Sequence, residues 1–366
     1  MNELTLLQWT YAASVMLVAV VQSFLPQFSG EGTHLGVRFS AENSSRPEIK
    51  SITRQYVWIT LGLGLLLGVV TYGVVGQFAL NYGLQVAVML VAIVLLLFPI
   101  VWANRRFSRL KAEWHDEGPR RVITVSSRIS GKKVGLSGNG LWIYLVSFFV
   151  IVLGTAYTLI NYDRLPEMIP THFNIQGQAD AWSEKSLLTA LTPSLVNLLL
   201  LVTILASNIA LLSAKQKLEP ADPEGSLNRY LKARKIWTYY LGGMTLAFIA
   251  PIQFGSTDMM LGGEGLAGAF VWIILGVTVL TIVGAIVIGV KVGTVGEKLS
   301  GAGVASFDAD DDRWKLGGLV YYNKEDPAVF VPKRVGVGLT INVGSPGGRL
   351  AMVILVLLIV LPLLLV

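Results

Sequence analysis

Residues 165–186 read Leu-Pro-Glu-Met-Ile-Pro-Thr-His-Phe-Asn-Ile-Gln-Gly-Gln-Ala-Asp-Ala-Trp-Ser-Glu-Lys-Ser, a polar interval set between long apolar runs. Four of its side chains could do chemistry. His172 and Asp180 offer an imidazole and a carboxylate, and Asn174 and Trp182 add an amide and an indole. One His and one carboxylate are too few ligands for a zinc site, and no third group completes a catalytic set. Metal binding and His/Asp catalysis therefore rank below recognition of an outside ligand by His172, Asn174, Asp180 and Trp182. An architectural reading competes, because ordered loops need polar groups to satisfy their own backbone. In that reading Pro166, Pro170, Gly177 and Lys185 form the frame. The segment 174–177 fits a tight turn with Gly177 free to take positive φ. The strand before it alternates, with Ile169, Thr171 and Phe173 on one face and His172 and Asn174 on the other.

Other chemistry is thin. The chain has no cysteine, which removes disulfides, thiol nucleophiles and thiolate metal sites. The patterns H-E-x-x-H and G-x-x-x-x-G-K are absent. Gly263, Gly265 and Gly268 spell G-x-G-x-x-G, but no strand precedes them, so a dinucleotide site is not expected. The acidic run 308–314 alternates poorly for calcium. No metal and no cofactor are expected.

The surroundings of the polar interval define what must position it. Hydrophobic residues make up 53% of the 366 residues and charged ones only 14%, with a mean hydropathy of +0.61. A bilayer core takes about 20 apolar residues per helix. Eight runs qualify, at 4–26, 56–76, 81–103, 141–162, 193–212, 237–255, 266–290 and 350–366. None carries an Asp, Glu, Lys, Arg or His in its interior, which argues against a proton pump or ion-coupled carrier. The loops 27–55, 104–140, 213–236 and 291–349 hold 4, 9, 6 and 8 Lys and Arg, 27 of the 29 in the chain. Positive loops stay in the cytoplasm, so both termini and the polar interval belong outside. The net charge of +6 suits anionic lipid and calls for no nucleic acid.

Within this frame the chain divides into three N-terminal membrane helices with a cytoplasmic loop (1–103), a basic cytoplasmic loop (104–140) and a helix pair carrying the polar interval (141–212). Two further membrane helices (213–290), a cytoplasmic β segment (291–349) and a last helix (350–366) follow. Ser45 can cap a helix that takes Pro47 and Glu48 in its first turn and runs into the second span. The third span continues as a basic helix ended by Gly118-Pro119, and 120–129 has strand propensity. Thr192 can cap the fifth span, with Pro193 at its first position. Gly64 with Gly68, Gly243 with Ala247, and Gly289 with Gly293 are small pairs that let helices approach. Asn197 and Asn208, eleven residues apart, share one helix face and suit interhelical hydrogen bonds. Arg38, Lys333 and Arg334 are candidates for a basic cytoplasmic surface.

The polar interval resembles the signature of the SdpI-like family, bacterial membrane proteins that include immunity proteins against the Sdp toxin. Leu165-Pro166, Ile169-Pro170, His172-Phe173-Asn174, Gly177, Asp180, and Ser183 with Lys185 carry the likeness, from the fourth span to the fifth. Segments 34–40, 46–56 and 313–342 resemble accessory segments of longer relatives. The resemblance implies protection against an exported peptide toxin and the holding of a repressor at the membrane.

The expected protein is an all-α polytopic membrane protein of about eight transmembrane helices with a small cytoplasmic β unit, in the bacterial cytoplasmic membrane. It is expected to be non-enzymatic, an immunity or envelope-signalling factor, with a permease or export component second and a membrane hydrolase third. Candidate partners are the lipid bilayer, an extracytoplasmic peptide and a cytoplasmic regulator. Because no native thiol interferes, Ser183→Cys should react with an impermeant thiol reagent in intact cells, and Ser126→Cys only after lysis. The opposite labelling pattern would invert the orientation.

Overall fold

The computed structural model describes residues 3–29, 32–78, 82–116, 140–173, 178–214, 222–263, 267–296, 298–299, 311–336 and 338–364. The strand expected over 120–129, the Gly118-Pro119 stop and the turn at 174–177 lie outside the described residues. Contacts sort the chain into two compact units. One comprises Met1–Ile129, Ala214–Arg229 and Val292–Val366, the other Ser130–Ser213 and Tyr230–Lys291.

The chain begins with α1 (Glu3–Ser23) and a short α2 (Leu25–Phe28), then a two-stranded hairpin of β1 (Thr33–His34) and β2 (Val37–Arg38). A single turn, α3 (Ala41–Ser44), leads into α4 (Pro47–Gln77), followed by α5 (Tyr82–Leu95) and α6 (Phe98–Glu113). Gly64 and Gly68 are buried on α4, where a Cβ would overlap Ala19 and Met16 of α1. The small pair read from the sequence is thus a helix contact. Pro99, with no N–H to give, follows the break between α5 and α6. There Gln22 Nε2 donates to the Leu96 carbonyl at 2.5 Å, and the Tyr56 hydroxyl donates to the Gln22 carbonyl at 2.8 Å.

A small β unit belongs to the same part of the molecule. The strands β5 (Trp314–Lys315) and β6 (Val320–Tyr321) pair antiparallel, as do β7 (Phe330–Pro332) and β8 (Leu339–Ile341). Between them the turn at 323–327 is held by Asn323 Oδ1 accepting from the Glu325 amide. The shared core joins Leu35, Phe39, Tyr56, Ile100, Phe107 and Val335, among others. Leu35 and Gly36 both take positive φ, 42° and 88°, in the two-residue turn between β1 and β2. Such turns favour Asn-Gly. Leu stands there because its side chain is wholly buried, and that burial offsets the backbone strain.

The second unit contains α7 (Trp142–Ile160), the hairpin β3 (Met168–Phe173) and β4 (Ala179–Glu184), and α8 (Leu187–Ser213). It also takes α9 (Pro223–Met260) from Tyr230 onward, and α10 (Ala267–Lys291). The last helix of the chain, α11 (Pro346–Leu364), returns to the first unit.

Among the described residues six helices are long and apolar enough to cross a membrane: Leu4–Ser23, Pro47–Gln77, Gly83–Glu113, Trp142–Ile160, Leu187–Ser213 and Ala269–Lys291. Their outward faces carry exposed Leu65, Val69, Leu145, Leu199 and Leu280, as lipid-facing surfaces do. The chain is a polytopic, mostly α-helical membrane protein with small separate β hairpins. The run 237–255 falls in α9, where it is diluted by Thr, Tyr, Gly and Gln, and the described part of the last run, 350–364, falls in α11.

Several local expectations change. Ser45 donates to the Glu42 carbonyl, and Arg46 occupies the cap position of α4, although Pro47 and Glu48 do open that helix. The third-span extension stops at Glu113, because His115 adopts φ 50° and Asp116 N–H closes back on the Lys111 carbonyl. The helix α8 starts at Leu187, capped by Ser186 Oγ accepting from the Thr189 amide, so Pro193 is internal and Thr192 is no cap. Gly243 meets no neighbour, and Gly293 lies past α10 with φ 75°, so neither makes a helix contact of the kind seen at Gly64.

Gly64→Val should overpack the α1–α4 contact and destabilise the protein by about 1–3 kcal/mol. Gly73→Val, on the same helix where a Cβ would meet nothing, supplies the control. Thermal unfolding should separate the two; equal losses would show that helix propensity alone is at work.

Candidate functional site

The polar interval folds as an antiparallel hairpin between α7 and α8. Met168 pairs with Glu184, Ile169 with Ser183 and Pro170 with Trp182, after which the register shifts on both sides of His172. The bulge breaks the simple alternation expected from the sequence. Ile169 is fully buried while Thr171 and His172 are exposed. Ile169 packs with Leu165, Ala190 of α8 and Met260 of α9, so one strand residue plugs the ends of the helices.

The hairpin brings the candidate chemistry together, since the register set by Met168–Glu184, Ile169–Ser183 and Pro170–Trp182 runs on to His172 and Asp180. His172 Nδ1 and Asp180 Oδ1 lie 2.5 Å apart, with side-chain exposures of 70% and 37%. Trp182 is half exposed, Pro166 is exposed and Pro170 partly buried. Asn174 and Gly177 are outside the described residues. A solvent-facing imidazole held by a carboxylate, with an exposed indole two residues along β4, can form directed hydrogen bonds and an apolar contact with a ligand. The other histidines differ. His34 is packed against Phe39 and Phe107 and bonded to Ser44 Oγ at 2.8 Å, and burial pulls its imidazole below the ordinary value. His115 ends a helix.

Lys185, just past the hairpin, fixes its base. Its ammonium donates to the Leu165 carbonyl at 2.9 Å and to the Asp163 carbonyl at 3.3 Å, and sits 5.2 Å from the Tyr162 ring centroid. Its backbone N–H donates to Glu167 at 2.8 Å. These contacts hold the chain that enters β3 to the chain that leaves β4.

One segment of the chain now has a family match. Residues 149–196 match the model of DUF1648, a domain of unknown function. The DUF1648 segment takes in most of α7, the whole hairpin and the first turns of α8. Residues 324–349 match DUF5808, a family of unknown function, and cover β7, β8 and the start of α11. Both are uncharacterised domains often found in membrane proteins. No curated protein and no solved structure matches the chain.

The basic surface expected from Arg38, Lys333 and Arg334 is not formed by all three. Arg334 is only 5% exposed; its guanidinium donates to the Gly36 carbonyl at 3.1 Å and lies 5.5 Å from the Trp314 ring. A buried β-turn carbonyl needed that donor, and sequence proximity to Lys333 could not reveal it. Arg38 is half-buried and Lys333 exposed. Nearby, Asn104, Ser108 and Lys111 recur at helical spacing along α6 and, with His115, Asp116 and Trp314 beyond it, line a cleft of about 540 Å³. The Asp116 carboxylate accepts from the Ser40 amide and hydroxyl and from Asn43 Nδ2, which ties α6 to α3.

Lys185→Met keeps the aliphatic stem and loses both carbonyl bonds. The loss should cost about 1 kcal/mol, less than a typical charged hydrogen bond because the group is partly solvated. Hydrogen exchange across 168–184 should accelerate while α7 and α8 stay protected. Unchanged exchange would remove Lys185 from the frame.

Proposed function

We propose that the DUF1648 hairpin is the recognition element of a non-enzymatic immunity or envelope-signalling protein of the SdpI-like kind. The observation that carries this reading is the exposed His172–Asp180 pair, with the exposed Trp182 two residues along β4, on a hairpin whose base is fixed by Lys185 and plugged by Ile169. A structural pair would suffice buried; an exposed one spends its polarity on solvent unless something else binds there. The protein sits in the bacterial cytoplasmic membrane with both termini and the hairpin outside, a reading supported by the distribution of Lys and Arg. The outside ligand is an exported peptide, and a cytoplasmic regulator is the partner on the other side, the assignments that the resemblance favours.

A permease or export component is the second reading. It draws support from the hydrogen-bonded polar side chains buried between α7, α8 and α9.

His172→Ala and Asp180→Ala separate recognition from architecture. For recognition, either change should abolish protection of cells challenged with the peptide, while protein level and thiol-labelling topology stay normal. Loss of protection only in proportion to loss of protein would leave the hairpin a structural device.

A further inference from the structure

We propose that α7, α8 and α9 bind a small electropositive guest delivered from water, either a water molecule or a monovalent alkali ion, at Asn197 in the membrane interior. This inference stands independently of the recognition reading. Asn197 and Gln253 are both fully buried. Asn197 Nδ2 donates to the Ile249 carbonyl at 3.3 Å and to Gln253 Oε1 at 3.1 Å. Gln253 Nε2 donates to Ser194 Oγ at 2.9 Å, and Thr155 Oγ1 donates to the same oxygen at 2.8 Å.

The orientation of the Asn197 amide follows from its neighbours. A backbone carbonyl only accepts, so the end of the amide that faces Ile249 must be the nitrogen. Asn197 Oδ1 then points elsewhere, and no hydrogen-bond partner meets it. An unpaired buried acceptor costs about 1–3 kcal/mol, which interhelical adhesion alone would not require. Elsewhere on α9, Pro251 has no N–H, so the Ala247 carbonyl lacks its usual intrahelical donor.

The chemistry of the guest is set by what is present. The site offers neutral oxygens without a carboxylate, which suits a water proton or a singly charged ion and poorly matches a divalent cation. Gly154 lets Gln253 pack close against α7: a Cβ there would overlap that side chain. Toward the hairpin the polar line continues through Thr158 and Thr257, whose hydroxyls are 3.1 Å apart. Away from the hairpin, Ile151, Leu201 and Ile249 form an apolar layer with Tyr144. The guest therefore enters from the hairpin side.

Cysteine accessibility tests the proposal on the full chain in lipid nanodiscs. Ser194→Cys is nearly isosteric and only 7% exposed, whereas Leu198→Cys, one turn deeper, is 40% exposed to lipid. A thiolate forms only where water reaches it, so Ser194→Cys should react with a small charged thiol reagent about tenfold faster than Leu198→Cys. Thr155→Cys, which leaves Ser194 in place, repeats the measurement should Ser194→Cys not fold. If the folded cysteine variants are as inert as Leu198→Cys, the site is dry and the proposal fails. With labelling established, thermal unfolding in sodium, potassium or choline chloride at equal ionic strength distinguishes the guest. A rise specific to one alkali ion and lost in Asn197→Leu identifies the ion; ion-independent unfolding identifies water.

Discussion

Hydrocarbon offers polar atoms no partner, and every polar side chain in the spanning helices of this protein must find one within the protein. Much of the architecture answers that demand. Thr60, Ser147, Thr245 and Thr278 return their hydroxyls to carbonyls one turn back on their own helices. Gln22 takes the Leu96 carbonyl where α5 gives way to α6, and Asn208 pairs with Thr238 across α8 and α9. These bonds fix which helix faces meet. Against that background the Asn197 oxygen is an exception whose cost the fold nevertheless retains.

The hairpin follows the opposite rule, because it stands where water is available. Its apolar residue, Ile169, turns toward the helix ends, while His172 and Asp180 turn away from them. Strand alternation already sets Ile169 and His172 on opposite faces, and the register shift at His172 turns Thr171 out to solvent as well. A local irregularity thus adds a second exposed polar residue two positions from the packing one.

The spans were legible because about 20 uninterrupted apolar residues have few other uses. The buried face of Asn197 and Asn208 was legible from helical spacing. Their partners were not: Gln253 and Thr238 lie 56 and 30 residues away, and periodicity says nothing about which helices touch. Thr192-Pro193 imitated a helix start because Thr caps and Pro tolerates a first turn, yet packing extends α8 back to Ser186. Arg334 was misplaced for a similar reason. Its acceptor, Gly36, is 298 residues distant, and only the folded unit makes that carbonyl a buried group in need of a donor. His172 and Asp180 were recognisable as candidates by residue type, whereas their juxtaposition depended on the hairpin register, which residue types do not announce.

The interleaving of the two units has a consequence for how the chain is made. A protein synthesised from its N-terminus ordinarily completes its first domain first. Here the unit that holds residue 3 also needs Lys298 to bond the Ser29 carbonyl and Arg334 to reach Gly36. The unit that starts later in the chain has all its residues by Lys291. Assembly order is therefore reversed: the hairpin-bearing helices can settle while the β1–β2 turn still waits for its guanidinium. A ribosome stalled just beyond residue 300 would leave one unit finished and the other open, with the Gly36 carbonyl unpaired and exposed to quality-control proteases.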